Sequence, residues 1–182
     1  MTRHEEGIFI KNIELGKTWL SFRERTILLL ILGTGLRCSE VSGLKIENVH
    51  LEEPARLRVL GKGRKEREIP IPDPICDVLE EFLEIRSKYK KTGEFLFGNM
   101  HGNPIREASI YEMVRRTLSR AGIVKPNMGP HLLRHTFATR QFEAGIPPAI
   151  IKNWMGHSSL ATTLIYEHVS ISGNGIKPAM GL

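Results

Sequence analysis

His131 and Arg134 stand three residues apart, so a helix through them projects both from one face, and a place in its first turn adds the positive end of the backbone dipole. Such a face suits an oxyanion. Gly156-His157-Ser158 falls between two helical segments, where a histidine can point into a cleft, and Tyr166 follows nine residues later on the next helix. Arg37 comes after Gly35-Leu36 at the end of a very apolar helix, and Lys62 sits between two glycines that let the backbone approach a ligand closely. Two arginines, a lysine, two histidines and a tyrosine make a set with several donors, one nucleophile and no catalytic carboxylate pair. The set points to phosphoryl transfer without a metal. Arginine grips phosphate oxygens through a planar fork, histidine donates or relays a proton, lysine protonates a leaving oxygen, and tyrosine attacks phosphorus.

Each member alone also has an ordinary reading. His131 can cap its helix while Arg134 pairs with a surface acid; Arg37 can pair with Glu40 three residues on; Lys62 can be a solvated turn residue; Tyr166 can bury its ring in the core. Two other motif readings fail. His131 and His135 have the i,i+4 spacing of a zinc pair but lack the central glutamate of His-Glu-x-x-His. Gly61-Lys62-Gly63 lacks the spacing of a phosphate loop and lies on a hairpin rather than before a helix. Neither a metal nor a cofactor is expected.

The chain that must position these residues has 182 of them, enough for one domain, and its 41% hydrophobic and 25% charged content excludes a disordered or collagen-like chain. Its longest strongly apolar run, Ile27 to Gly33, is far short of the roughly 20 residues needed to cross a bilayer, so no membrane partner is expected. No signal-peptide pattern opens the chain. Cys38 and Cys76 have neither metal-like nor framework spacing, which suggests a reduced, cytoplasmic protein without structural disulfides. Twenty-six Lys and Arg against twenty acids give +6, an excess that favours polyanionic partners. The excess is concentrated: Arg56, Arg58, Lys62, Arg64 and Lys65 fall in a stretch with no acid, whereas Asp77, Glu80, Glu81 and Glu84 crowd a later one.

Periodicity predicts a mixed α/β fold, mainly α-helical, with a small antiparallel sheet. Ser21 and Glu24 read as a capping box ahead of an apolar helix that Gly35 ends. A short helical turn over residues 39–44 precedes a basic β-hairpin, with Leu57 and Val59 in one strand, Ile69 and Ile71 in the other, and Lys62 near the tip. Asp73-Pro74 starts a helix reaching about Tyr89, Phe95 to Phe97 reads as a short strand, and Ser109 opens a helix closed by Gly122. Helices over 131–144, 148–155 and 159–168 follow. Residues 1–17 read as a lead-in, and 170–182 as a Gly- and Pro-containing tail.

Four motifs, in order over residues 18–169, resemble the tyrosine recombinases, the group of phage integrases and Xer-type recombinases. They are Thr34-Gly-Leu-Arg-Cys-Ser-Glu40, Gly61-Lys-Gly-Arg-Lys-Glu-Arg67, His131-Leu-Leu-Arg-His-Thr-Phe-Ala-Thr139, and Met155-Gly-His157 through Thr162-Thr-Leu-Ile-Tyr166. The resemblance implies the catalytic-domain fold of that family and site-specific strand exchange on duplex DNA. Tyr166 would be the nucleophile, forming a 3′-phosphotyrosyl bond, and Lys62 the general acid. Arg37, Arg134 and His157 would stabilise the transition state, and His131 would relay a proton. It further implies that Arg56, Arg58, Arg64, Lys65 and Arg67 bind DNA, that a monomer assembles into a transient homo-tetramer on DNA, and that accessory DNA-bending or directionality factors act with it. Family members usually carry an additional N-terminal core-binding domain, which is expected to be absent here, and exchange a C-terminal element between protomers, a role open to residues 170–182. Two alternatives stay open: a DNA-binding accessory protein of the same fold, and a type IB topoisomerase that does not recombine.

Overall fold

The most apolar segment forms the centre of the molecule. In the structure, a computed structural model describing residues 1–13, 16–61, 66–89, 93–99, 101–156 and 177–179, helix α2 (Trp19–Thr34) buries every residue from Thr26 onward. A helix apolar on all faces has to be surrounded. α4 (Asp73–Lys88), α5 (Glu107–Arg120) and α6 (Pro130–Glu143) pack around it. The short α3 (Cys38–Ser42) follows α2 and lies against α5, while α7 (Pro148–Met155) follows α6 and lies against the sheet. Gly35 ends α2 with a left-handed backbone (φ 67°), and a Cβ there would lie 2.4 Å from Phe137 Cδ1. Only glycine satisfies both demands.

The sheet is antiparallel with order β1 (Val49–His50), β2 (Arg56–Leu60), β3 (Glu66–Pro70). Its register sets Leu57 opposite Ile69, Val59 opposite Arg67 and Arg58 opposite Glu68. Leu57, Val59 and Ile69 are buried, whereas Arg58, Leu60, Glu66 and Glu68 face outward. The expected hairpin therefore forms, with Arg58 on its solvent face beside Glu66 and Glu68. Its tip, residues 62–65, lies outside the described residues.

Several boundaries differ from the sequence expectation. Thr18, not Ser21, caps α2: its hydroxyl accepts from the Ser21 amide at 3.2 Å and the Ser21 hydroxyl accepts from the Thr18 amide at 3.1 Å. The earlier start buries Trp19, which stacks on Phe82 at 5.0 Å. α5 likewise begins two residues ahead of Ser109, with Arg106 as its N-cap. Phe95 to Phe97 is not a strand. It makes one isolated bridge, Lys45 to Phe95, and is held instead by buried Leu96 and Phe97 and by Arg86, which donates to the carbonyls of Gly93 and Phe95. The lead-in contains a further helix, α1 (Arg3–Lys11), opened by a Thr2/Glu5 capping box and docked through fully buried Phe9. The helix expected over residues 159–168 lies outside the described residues.

Three tail residues are described, and they dock on the same chain. Buried Gln141 donates to the Ala179 carbonyl at 2.9 Å and accepts from its amide at 2.8 Å, Pro178 is buried, and Lys177 Nζ reaches Glu53 and Asp73. No helix among the described residues is long and apolar enough to cross a membrane.

Candidate active site

α3 and α6 bring Arg37, His131 and Arg134 to one cleft of about 510 Å³, together with Cys38, Glu107 and Tyr111. Arg37 occupies the N-cap position of α3, just after the left-handed turn at Gly35. Pro130 opens α6, so His131 stands exposed in its first turn and Arg134 one turn deeper, buried. The spacing argument for one face holds in three dimensions.

The guanidinium groups are held by backbone carbonyls. Arg134 donates through Nη1 to the Gly35 carbonyl and through Nη2 to that of Met155. Arg37 Nη2 donates to the Gly156 carbonyl at 2.8 Å, and Arg67 Nε to the Trp154 carbonyl at 2.8 Å. Three successive carbonyls at the end of α7 are thus each capped by an arginine. These are groups that lack an intrahelical partner and carry the negative end of the helix dipole, so a positive fork is their natural complement. Gly156 makes the arrangement sterically feasible: its φ is 61°, and a Cβ there would lie 2.9 Å from Arg67 Cζ and 3.1 Å from Arg37 Nη1.

Glu40 supplies the counter-charge. Its Oε1 accepts from Arg37 Nη1 at 3.0 Å and from Arg67 Nη1 at 2.8 Å; its Oε2 accepts from the Arg37 amide at 2.9 Å and from Arg67 Nη2 at 2.9 Å. Burial pushes this carboxyl upward, but the bonds from Arg67 and the Arg37 amide outweigh it, and the group is held below the usual carboxylate range. Burial, reinforced by the charges of Arg37 and Arg67, draws the Arg134 guanidinium down to about 10, so it remains a cation at neutral pH. The cleft wall carries Arg37, Arg134 and His131 together with Glu107 and Glu112, so it is the pre-oriented guanidinium donors rather than a net positive charge that equip it to receive an anion.

Of the residues expected to do chemistry, Arg37, His131 and Arg134 meet here. Lys62, His157 and Tyr166 lie outside the described residues, as do Arg64 and Lys65. The ion pair between Arg37 and Glu40 forms as its spacing suggested, yet it does not keep Arg37 from the cleft. Arg134 meets carbonyls rather than a surface acid. Among the expected DNA contacts, Arg58 is exposed on the outer face of β2, and Arg56 beside it bonds Glu68 at 3.2 Å. Arg67 departs from expectation: it turns inward, its side chain only 8% exposed, because it shares the inner face of β3 with Ile69. That alternation, two residues before Ile69, was the signal that would have separated it from the outward basic residues. Glu40 as a shared counter-ion and Tyr111 as a cleft wall had no comparable signature, since both depend on how elements meet.

Comparison with known proteins gives the family and the fold. The model of the phage integrase family matches residues 2–172. The tyrosine recombinase XerD of Staphylococcus aureus is 42% identical over 154 residues, covering 83% of this chain and 52% of that protein, and XerD of Staphylococcus saprophyticus is 40% identical over the same coverage. The chain spans about half the length of these curated relatives. Among solved structures, the XerH site-specific recombinase bound to its palindromic difH substrate superposes with a TM-score of 0.78 at 30% identity, over 92% of this chain and 49% of that one. The XerA recombinase gives 0.77 at 31%, over 94% and 61%. A family match running through nearly the whole sequence, on a fold shared with the Xer recombinases, makes this chain a member of the phage integrase family with the fold of a tyrosine recombinase catalytic domain.

Proposed function

We propose that the protein recombines duplex DNA site-specifically, by strand cleavage and rejoining through a covalent 3′-phosphotyrosyl intermediate. The observation that carries this reading is the pairing of Arg37 and Arg134 beside His131 at one cleft, both guanidinium groups anchored on the end of α7. A phosphodiester entering it meets two cations already oriented, as transition-state stabilisation requires.

In the proposed step the Tyr166 oxygen attacks the scissile phosphorus, a phosphorus–oxygen bond to tyrosine forms, and the bond to the 5′-oxygen breaks. His131 assists removal of the phenol proton, which is needed because a tyrosine with an ordinary pKa near 10 is a poor nucleophile at neutral pH. Lys62 donates a proton to the departing 5′-oxygen. Arg37, Arg134 and His157 bind the non-bridging oxygens as charge builds on them. Attack by the 5′-hydroxyl of a partner strand reverses the chemistry and rejoins the DNA. Bond energy is conserved through the phosphotyrosyl linkage, so no nucleotide cofactor is consumed. Exchange between two duplexes calls for a transient homo-tetramer in the cytoplasm, with accessory factors setting direction. The XerH structure, a post-cleavage complex with its palindromic difH substrate, and the Tn1549 transposon integrase in complex with circular intermediate DNA support the substrate class.

A nicked suicide duplex tests the proposal. The wild-type protein is expected to become covalently attached to the 3′ end, and Tyr166→Phe to lose the adduct while keeping DNA affinity. Adduct formation by the Phe variant, or none by the wild type, overturns it.

A further inference from the structure

We infer that Arg67 is a positioning residue for strand cleavage, fixing through Glu40 and the end of α7 where Arg37 presents its guanidinium to the phosphate. The inference rests on the reading that Arg37 binds the scissile phosphodiester.

The register of β3 turns Arg67 into the protein opposite Val59, where direct contact with DNA is closed to it. Every described contact of its guanidinium is internal: both oxygens of Glu40 and the carbonyl of Trp154. Glu40, with a side chain 3% exposed, divides each of its oxygens between Arg67 and Arg37. This sharing has an electrostatic consequence. With Arg37 as sole partner, the buried carboxylate would satisfy its lone pairs by gathering the Arg37 fork onto itself in a bidentate pair, neutralising the charge meant for the phosphate. Arg67 takes up the bidentate position. Arg37 is left with one guanidinium bond to Glu40 and one to Gly156, and keeps further N–H donors for a ligand.

The same side chain joins the elements that lead to the rest of the catalytic set. β3 is the returning arm of the hairpin whose tip sequence contains Lys62, and the α7 terminus runs directly into His157. Arg67 ties one to the other, and the space above Gly156 is fully used by Arg67 and Arg37 together. A lysine cannot reproduce the arrangement, because an ammonium lacks the planar fork that spans two carboxylate oxygens.

The test is a double-mutant cycle read as single-turnover cleavage of the nicked suicide duplex, with DNA affinity and thermal unfolding measured alongside. Arg67→Gln is expected to slow adduct formation by about 10- to 100-fold, since misplacing a group by about 1 Å can cost up to about 10²-fold, with affinity within about 2-fold. Arg67→Lys is expected to recover only part of the rate. In an Arg37→Ala background, Arg67→Gln is expected to cost no more than about 2-fold further, since residues acting through one another are not additive. Full additivity of the two losses, an unchanged rate in the Arg67 variants, or a fall in affinity that accounts for the fall in rate would each overturn the inference. If Arg67→Gln fails to unfold cooperatively, Arg67→Lys carries the same cycle; failure of both to fold assigns Arg67 to folding and ends the positioning role. A wild-type protein that forms no adduct refutes the function itself and takes this inference with it, whereas an active wild type with indifferent Arg67 variants refutes only the inference.

Discussion

Arg140 of α6 and Glu6 of α1 form an ion pair at 2.6 Å between side chains that are each 9% exposed, although 134 residues separate them in sequence. Glu143 adds a second carboxylate to the same guanidinium. This pair, with Phe9 in the core, makes α1 part of the domain that carries the cleft. Removing Glu6 takes away the buried bond to Arg140 Nε and leaves the guanidinium with the half-exposed Glu143 alone, so Glu6→Ala is expected to lower unfolding free energy by about 2 kcal/mol. Glu143→Ala, at a more exposed carboxylate, is expected to cost less than about 1 kcal/mol. Urea unfolding midpoints separate the two; equal losses would mean that the buried bond has no special weight.

Gly156 and Gly145 both have left-handed backbones, with φ of 61° and 77°, but only Gly156 is crowded by side chains. Nothing lies within 4 Å of a Cβ built on Gly145. Gly145→Ala is therefore expected to lose about 1 kcal/mol of stability from backbone strain alone, with cleavage unchanged. Gly156→Ala adds a collision with Arg67 and Arg37, and is expected to slow cleavage by at least about 10-fold, as misplacement of positioning groups does. Melting curves and suicide-substrate rates on the two variants decide the matter, and equal cleavage rates would show that the arginines tolerate displacement.

These cases show what the sequence could and could not convey. The helices with strong punctuation, α6 between Pro130 and Gly145 and α7 between Pro148 and Gly156, are found at their expected places because proline and glycine act locally. α1 carries a local signal in its Thr2/Glu5 capping box, but so short a helix is held by tertiary contacts that the sequence does not announce, the burial of Phe9 and the pairing of Glu6 with Arg140. Phe95 to Phe97 misled because its apolar run serves burial: its backbone pairing with residues 44–46 stops at a single bridge, and Arg86 takes the Phe95 carbonyl. At the cleft, Arg37, His131 and Arg134 were legible as residue types at telling spacings. The role of Glu40 was not, since it arises only where β3, α3 and α7 converge.

Arg58 and Arg67 lie on the same hairpin but on opposite faces, so the proposed function predicts different effects for the two. Arg58→Ala, at an exposed position, is expected to weaken binding to any duplex and to reduce the slope of log affinity against log salt by about 1, the signature of one lost phosphate contact. Arg67→Gln is expected to leave that slope unchanged. Binding titrations over a range of salt concentrations provide the measurement; a slope altered by Arg67→Gln and not by Arg58→Ala would reverse the assignment of faces.

The proposed division of labour between Lys62 and Arg134 predicts different responses to a substrate whose leaving oxygen is replaced by sulfur. A 5′-bridging thiolate departs without needing a proton, so such a substrate is expected to rescue Lys62→Ala substantially. Arg134→Ala, deprived of a group that stabilises the transition state and slowed by roughly 10²- to 10³-fold, should gain far less. Comparable rescue of both variants in a single-turnover assay would remove Lys62 from the acid role.

Glu40 gives the fold a defined response to acid. Its carboxyl is held below the ordinary range when folded, while in the unfolded chain it titrates near about 4.3. The folded protein therefore prefers the ionised group, a contribution present in full above the unfolded value and lost as pH falls through the lower, folded one. Glu40→Gln cannot ionise, and it leaves Arg37 and Arg67 without their shared counter-charge. The variant is expected to be less stable than the wild type by about 3 kcal/mol at pH 7, with the gap narrowing steadily below about pH 4 as the wild-type carboxyl takes up its proton. Urea unfolding of both proteins at pH 7, 5 and 3 measures the gap directly. If it were as wide at pH 3 as at pH 7, the stabilisation would come from the shape and hydrogen bonds of the side chain rather than from its charge, and the electrostatic account of how Arg37 stays available to a phosphate would fail with it.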